Sequence, residues 1–334
     1  MNIAGMQDVI DTVEQINRKA TQAGGLTSIF FVACGGSLAA SYPARYLLQN
    51  ESKAMRIVGM NSSEFVHACP KGVGPNSLVV GISTKATAET VKALEVANAA
   101  GAITLGLTGY ADSLTAKTAQ YSLVYYHSDE WYCHPELVHC NSQGTALKLA
   151  FQLLYTLEAY PAYEKAMQAF EKIPDLYAAA FQAIKPKSVS FAMRYRNDTI
   201  FNVLASGVAW ETAYSDAFCF FQEMQTIHCV PCHSGEYFHG AFETTDENLA
   251  VLLLKSVGRT RCLDERAEQF LNQFGGHHYI LDAKELGLGE VDEQVAEYFN
   301  ALLLHPISKQ FIAALGDVRM HPMSYRRYMW KFDY

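Results

Sequence analysis

Two stretches of this chain share one plan: "FFVACGGSLAASY" at residues 30–42 and "FNVLASGVAWETAY" at 201–214. Each is an apolar run, then a small-residue turn containing glycine, then the start of a helix. Gly35 and Gly207 hold the same relative place. A strand that passes to a helix through such a turn is the unit of open α/β sheets, which bind ligands at the carboxyl ends of their strands. The repeat reads as duplication of a nucleotide- or sugar-phosphate-binding fold. A doubly wound sheet without duplication would show the same rhythm.

The remainder keeps that rhythm. Short β-branched or aromatic runs at 28–33, 55–60, 77–83, 102–107 and 121–126 alternate with helical periods. A long helix is expected at about 143–158. The second half offers strands at 199–205, 249–255 and 277–283. The predicted fold is α/β, with two three-layer, parallel-sheet subdomains in tandem. The expected segments are an N-terminal helix (1–26), a first subdomain (27–160), connecting helices (161–197), a second subdomain (198–318) and a tail (319–334). Pro161, Pro174 and Pro186 punctuate the connecting helices.

A chain of 334 residues suits two such halves, and with half of them hydrophobic and 18% charged a large core is available. The net charge is −8 and no basic run could track a phosphate backbone, which argues against nucleic acid. The start lacks the basic flank and apolar stretch of a signal peptide, and the apolar runs are too short to span a bilayer. A cytoplasmic protein without membrane contact is expected. Eight cysteines at 34, 69, 133, 140, 219, 229, 232 and 262 show no disulfide framework and read as buried reduced thiols.

Two turns carry anion chemistry. "CGGS" at 34–37 combines Gly35 and Gly36, which allow close backbone approach, with Ser37 at a helix start. "STKAT" at 83–87 supplies Ser83, Thr84, Lys85 and Thr87 before the next helix. Each alone fits an ordinary helix cap; together they fit one shared phosphate.

The acids and histidines gather in the second half. Glu223 lies among Phe220, Phe221 and Met224, where desolvation would raise its pKa towards a useful base. Taken alone it fits equally a surface glutamate on an amphipathic helix. Asp216, seven residues earlier, is expected on the same helical face. The stretch "HCVPCHSGEYFHG" (228–240) packs three histidines, two cysteines and a glutamate together. Its adjacent His–Cys pairs mostly cannot reach one zinc ion. Its C-x-x-C does not open a thioredoxin-like helix.

"FVACGGSLAASYPARYLL", "GISTKATAETVKALEVANAAGAITLGLT", "HSGEYFHG" and the ending "HPMSYRRYMWKFDY" together resemble the sugar isomerase (SIS) family. Within it the chain is most similar to fructosamine 6-phosphate deglycases, especially those acting on phosphorylated fructose-asparagine. The resemblance implies phosphate contacts from Ser37, Ser83, Thr84 and Thr87. The second turn departs from the family pattern, with Lys85 and Ala86 where a glycine is expected. It implies Glu223 as the base, His239 as the acid–base group for ring opening, and Glu236 as an orienting or substrate-contacting acid. His228 and His233 are left structural hydrogen bonds. Phe220 stands where glucosamine 6-phosphate synthase has a lysine.

The implied reaction is a reversed Amadori rearrangement of 6-phosphofructose-aspartate to glucose 6-phosphate and free amino acid, needing no metal or other cofactor. A phosphosugar aldose–ketose isomerase and a sugar-phosphate sensor are the alternatives. A homodimer is implied. The tail carries Arg326, Arg327 and Lys331 among Tyr325, Tyr328, Trp330, Phe332 and Tyr334. So many rings are expected to dock beside a sugar site, in the tail's own or a partner subunit. Arg326 or Arg327 would then hold the anionic substrate.

Overall fold

The structure, a computed structural model, describes residues 3–128 and 134–332. The chain forms two units, Met1–Pro174 and Asp175–Tyr334. Cys133 and Tyr334 lie outside the described residues.

The first unit opens with helix α1 (Met6–Gln22) and is built on a parallel sheet. Its strands are β1 (Ser28–Ala33), β2 (Arg56–Asn61), β3 (Ser77–Ile82), β4 (Ile103–Thr108) and β5 (Tyr121–Val124), in the order β2-β1-β3-β4-β5. Helices α2 (Gly35–Ala40), α3 (Tyr42–Glu51), α4 (Ser62–His67), α5 (Ala88–Ala99), α6 (Leu114–Thr118) and α7 (Ser142–Glu158) connect and cover them. Every residue of β1, β3 and β4 is buried, which is why these strands read as unbroken apolar runs. Phe30, Val32 and Val79 pack there with Phe65 of α4 and Ala93 and Ala97 of α5.

Helix α8 (Tyr163–Tyr195) is a correction to the sequence reading. It is one continuous helix through Pro174 and Pro186, not several punctuated ones. Ile173, Tyr177, Ile184 and Phe191 are buried along it, and this packing outweighs the local cost of the prolines.

The second unit carries a four-stranded parallel sheet in the order β7-β6-β8-β9. The strands are β6 (Ile200–Ala205), β7 (His228–His233), β8 (Ala250–Lys255) and β9 (His278–Asp282). Helix α9 (Trp210–Ser215) runs into a π-helix, Asp216–Met224, between β6 and β7. Helix α10 (Arg261–Phe274) joins β8 to β9, and α11 (Asn300–Val318) follows. The order repeats that of the first four strands of the first unit.

β7 is the strand that the sequence hides, because "HCVPCH" holds a single strong strand former, Val230, next to a proline. Pro231 is tolerated since β7 is an edge strand, paired on one side only, with β6. Strand geometry decides the two cysteines: three residues apart, Cys229 and Cys232 point to opposite faces. Cys232 packs with Leu204 and Tyr237, whereas Cys229 lies by Asp216. The expectation of uniformly buried thiols is corrected too. All seven described cysteines are free, but Cys34, Cys69, Cys140 and Cys219 are half-buried and Cys262 is exposed.

Among the described residues no helix is long and apolar enough to cross a membrane.

Candidate active site

At the carboxyl ends of the first unit's strands, the turn after β1 is open. Gly35 has φ +53° and, like Gly36, is exposed; a Cβ at Gly35 would meet nothing within 4 Å. Ser37 is half-buried beside it. In the turn after β3 the hydroxyls divide. Ser83 is 1% exposed, accepts from the Thr87 amide at 2.8 Å and donates to the Thr87 hydroxyl at 3.0 Å. Thr84 shares a 2.7 Å hydrogen bond with Tyr125. Lys85 and Thr87 are exposed. Ser83 and Thr84 therefore shape the turn, and Lys85, Thr87 and the glycine backbone face outward.

In the second unit, Glu223 sits near the end of the π-helix. Such helices are rare and recur at functional sites. The wider turn corrects the expected alignment with Asp216, because with i→i+5 spacing seven residues no longer return to one face. Asp216 is fully buried, accepts a 2.8 Å hydrogen bond from Ser308 of α11, and is held well above the usual carboxylate range by burial. Glu223 instead opens on a cleft of about 350 Å³. Gln222, Thr226, Ile227 and His228 line it from the chain around Glu223; Arg326, Arg327, Tyr328 and Met329 line it from the tail. Glu223 Oε1 lies 2.8 Å from Arg326 Nε. Burial raises the Glu223 carboxyl above the ordinary glutamate range, opposed by the adjacent guanidinium.

The tail reaches this cleft through backbone anchors. Buried Gln225 donates to the His321 carbonyl at 2.9 Å, and Arg326 Nη1 donates to the carbonyls of Met323 (2.9 Å) and Tyr325 (2.7 Å). Within the single chain the tail lines the cleft with its arginines, while Tyr328, Trp330 and Phe332 stay 62%, 75% and 57% exposed. Polar anchors fix this segment, so its rings need not be buried to hold it.

His239 and Glu236 stand elsewhere. Both are exposed at a short 3₁₀ turn (Tyr237–His239) beyond the carboxyl end of β7. Phe201 of β6 stacks on Phe221 of the π-helix at 4.6 Å, whereas Leu204 packs with Tyr237, Ala267 and Leu271. Residues three apart on a strand face opposite ways, so the sheet separates the element bearing Glu223 from that bearing His239. Along β7 they also lie near opposite ends, roughly 16 Å apart by strand rise alone. One chain does not bring the pair together. His233 is structural, with its Nδ1 accepting from Gly235 N at 3.1 Å. His228 lines the Glu223 cleft, which the sequence reading missed because β7 was not seen.

The SIS domain family matches residues 26–153. Over 92% of both chains, the protein is 35% identical to fructosamine deglycase FrlB of Bacillus subtilis (strain 168). This chain belongs to the SIS-domain fructosamine deglycases. It is 25% identical to fructoselysine 6-phosphate deglycase of Escherichia coli (strain K12), covering 78% of this chain and 74% of that one. A crystal structure described as a phosphosugar isomerase of Salmonella typhimurium LT2 superposes with a TM-score of 0.93 at 34% identity, covering all of both chains. Membership of this family makes the protein an enzyme.

Proposed function

We propose that this deglycase cleaves 6-phosphofructose-aspartate to glucose 6-phosphate and aspartate. The observation that carries the reading is Glu223: a carboxylate raised by burial, in a cleft, on a π-helix, with two arginines beside it. The names of the relatives supply the substrate class. The two arginines favour a substrate whose amino-acid part carries two carboxylates, since forked guanidinium groups suit them.

The phosphate rests on Gly35, Gly36 and Ser37, with Lys85 and Thr87 facing it and Ser83 and Thr84 holding the turn. His239 moves the ring-oxygen proton and opens the sugar, and Glu236 orients it. Glu223 takes a proton from C1, giving the enolamine, and C2 is protonated to give the imine at C1. Water adds to that imine and the C1–N bond breaks, releasing the amino acid. The residues invoked perform proton transfers, each typically contributing 10²–10⁴-fold.

Because the sheet stands between Glu223 and His239, a second copy of the chain supplies the histidine to each site. A homodimer with two shared sites follows. The test measures glucose 6-phosphate released from the aspartate, lysine and glycine fructosamine 6-phosphates, with fructose 6-phosphate as the isomerase control. Aspartate is expected to be preferred; faster turnover of fructose 6-phosphate would favour an isomerase. Glu223→Gln and His239→Asn, each inactive alone, should recover about a quarter of wild-type activity when re-formed together as dimers. No recovery from verified mixed dimers would remove the shared site.

A further inference from the structure

Binding a substrate carboxylate does not by itself explain why Arg326 is paired with Glu223. It is 10% exposed, its Nε is against Glu223, its Nη1 is against two carbonyls, and its guanidinium lies 5.2 Å from the Trp330 ring centre. A base in a reaction that begins with proton removal is here neutralised by a cation on its own chain. The same C1 protons, next to a C2 carbonyl, exist in open-chain fructose 6-phosphate. A site with a free base and a phosphate anchor would isomerise that sugar.

We propose that Arg326 is a specificity latch: the carboxylate of the substrate's amino-acid part takes the guanidinium from Glu223 and frees the base. The inference rests on Glu223 being that base. Exchanging one carboxylate for another keeps the guanidinium paired, so the swap is nearly neutral. A substrate without a carboxylate must break a largely buried ion pair and leave Arg326 uncompensated, which is costly. Once released, Glu223 retains the burial that strengthens it as a base and loses the neighbour that weakens it. Exposed Arg327, also on the cleft, is placed to meet a second carboxylate.

The test uses two substrates that differ only in the carboxylate: the 6-phosphofructosamines of glycine and of methylamine. In wild-type enzyme kcat is expected to be about 10²-fold lower for the methylamine compound. In Arg326→Leu the gap should shrink below about tenfold, since there is no latch to open. A second measurement is independent of that variant's folding: free acetate should raise wild-type turnover of the methylamine compound. Equal wild-type kcat values, an unchanged gap in Arg326→Leu, or no activation by acetate would each overturn the latch. Full turnover by Glu223→Gln on the glycine compound would instead reject the base assignment itself.

Discussion

The two sheets end in crevices built from matching parts, and only one is open. The turns after β1 and β6 both hold a glycine in the left-handed region, Gly35 at φ +53° and Gly207 at +54°. Ser62 and Ser234 each follow their unit's edge strand, Ser83 and Ser256 follow β3 and β8, and Thr87 and Thr260 precede α5 and α10. A Cβ at Gly35 would meet empty space, but one at Gly207 would collide with Thr260 Oγ1. Gly207 and Val208 are buried where Gly35 and Gly36 are exposed. The second unit fills its crevice with its own anion. Asp264 of α10 accepts from Ser234 Oγ at 2.6 Å, and from Ser256 N and Oγ at 2.9 and 2.7 Å. In the first unit the matching contact is neutral, Ser62 to Thr90 at 3.0 Å. Two sheets of the same strand order can thus differ, one leaving its crevice open and the other closing it into a buried joint.

The largest expected effect tests that joint. Asp264→Ala leaves a buried N–H and two hydroxyls without their acceptor, and should cost about 3 kcal/mol in urea unfolding. Thr90→Val, at the matching contact of the open unit, should cost only about 1 kcal/mol. Equal losses would mean that the carboxylate is not what closes the second crevice.

The proposed reaction divides along the same line, with phosphate binding assigned to the open crevice and proton transfer to the second unit. Glu223→Gln should lower kcat by 10² or more with little change in KM. Ser37→Ala should raise KM by roughly tenfold with kcat kept, as a lost hydrogen bond to a charged group. A mixed pattern, with Ser37→Ala acting on kcat, would break the division. As the proposed base, Glu223 would work only when deprotonated, so activity should fall as pH drops through its raised pKa, above the ordinary glutamate range. Removing Arg326 takes away the opposing influence and should move that acid limb upward.

The repeat at Gly35 and Gly207 was legible because a left-handed turn after a buried strand demands small residues, whatever follows. The buried strands were legible as apolar runs. β7 was not: it is an edge strand whose burial alternates imperfectly and whose residues, Val230 apart, are histidine, cysteine and proline. Missing it also hid that Cys229 and Cys232 face apart and that His228 joins the cleft. Nothing in the local pattern marks a π-helix, so Asp216 and Glu223 looked like one face. The separation of Glu223 from His239 depends on which face each crossover takes, a property of the whole sheet rather than of sixteen residues. Asp264 carried no signal, since an acid in a helix's first turn is ordinary.

The smallest effect concerns strain at the two matching turns. Residues 256–260 place a glycine, Gly258, at φ +102°, while residues 83–87 place Ala86 at φ +61°. An alanine held there costs about 1–2 kcal/mol, partly offset because glycine loses more freedom on folding, by about 0.4–1 kcal/mol. Ala86→Gly should therefore stabilise the protein by about 0.5 kcal/mol in urea unfolding. The closed crevice is already relaxed at its glycine; the open one retains strain beside its exposed Lys85 and Thr87. Strain of this kind persists where surrounding contacts fix it, here the Ser83–Thr87 pair of hydrogen bonds and the Thr84–Tyr125 bond. Relief by glycine should loosen the turn and raise KM for the phosphorylated substrate while the fold becomes more stable. A variant that is less stable, or equally tight in KM, would show that Ala86 stores no strain for the phosphate turn.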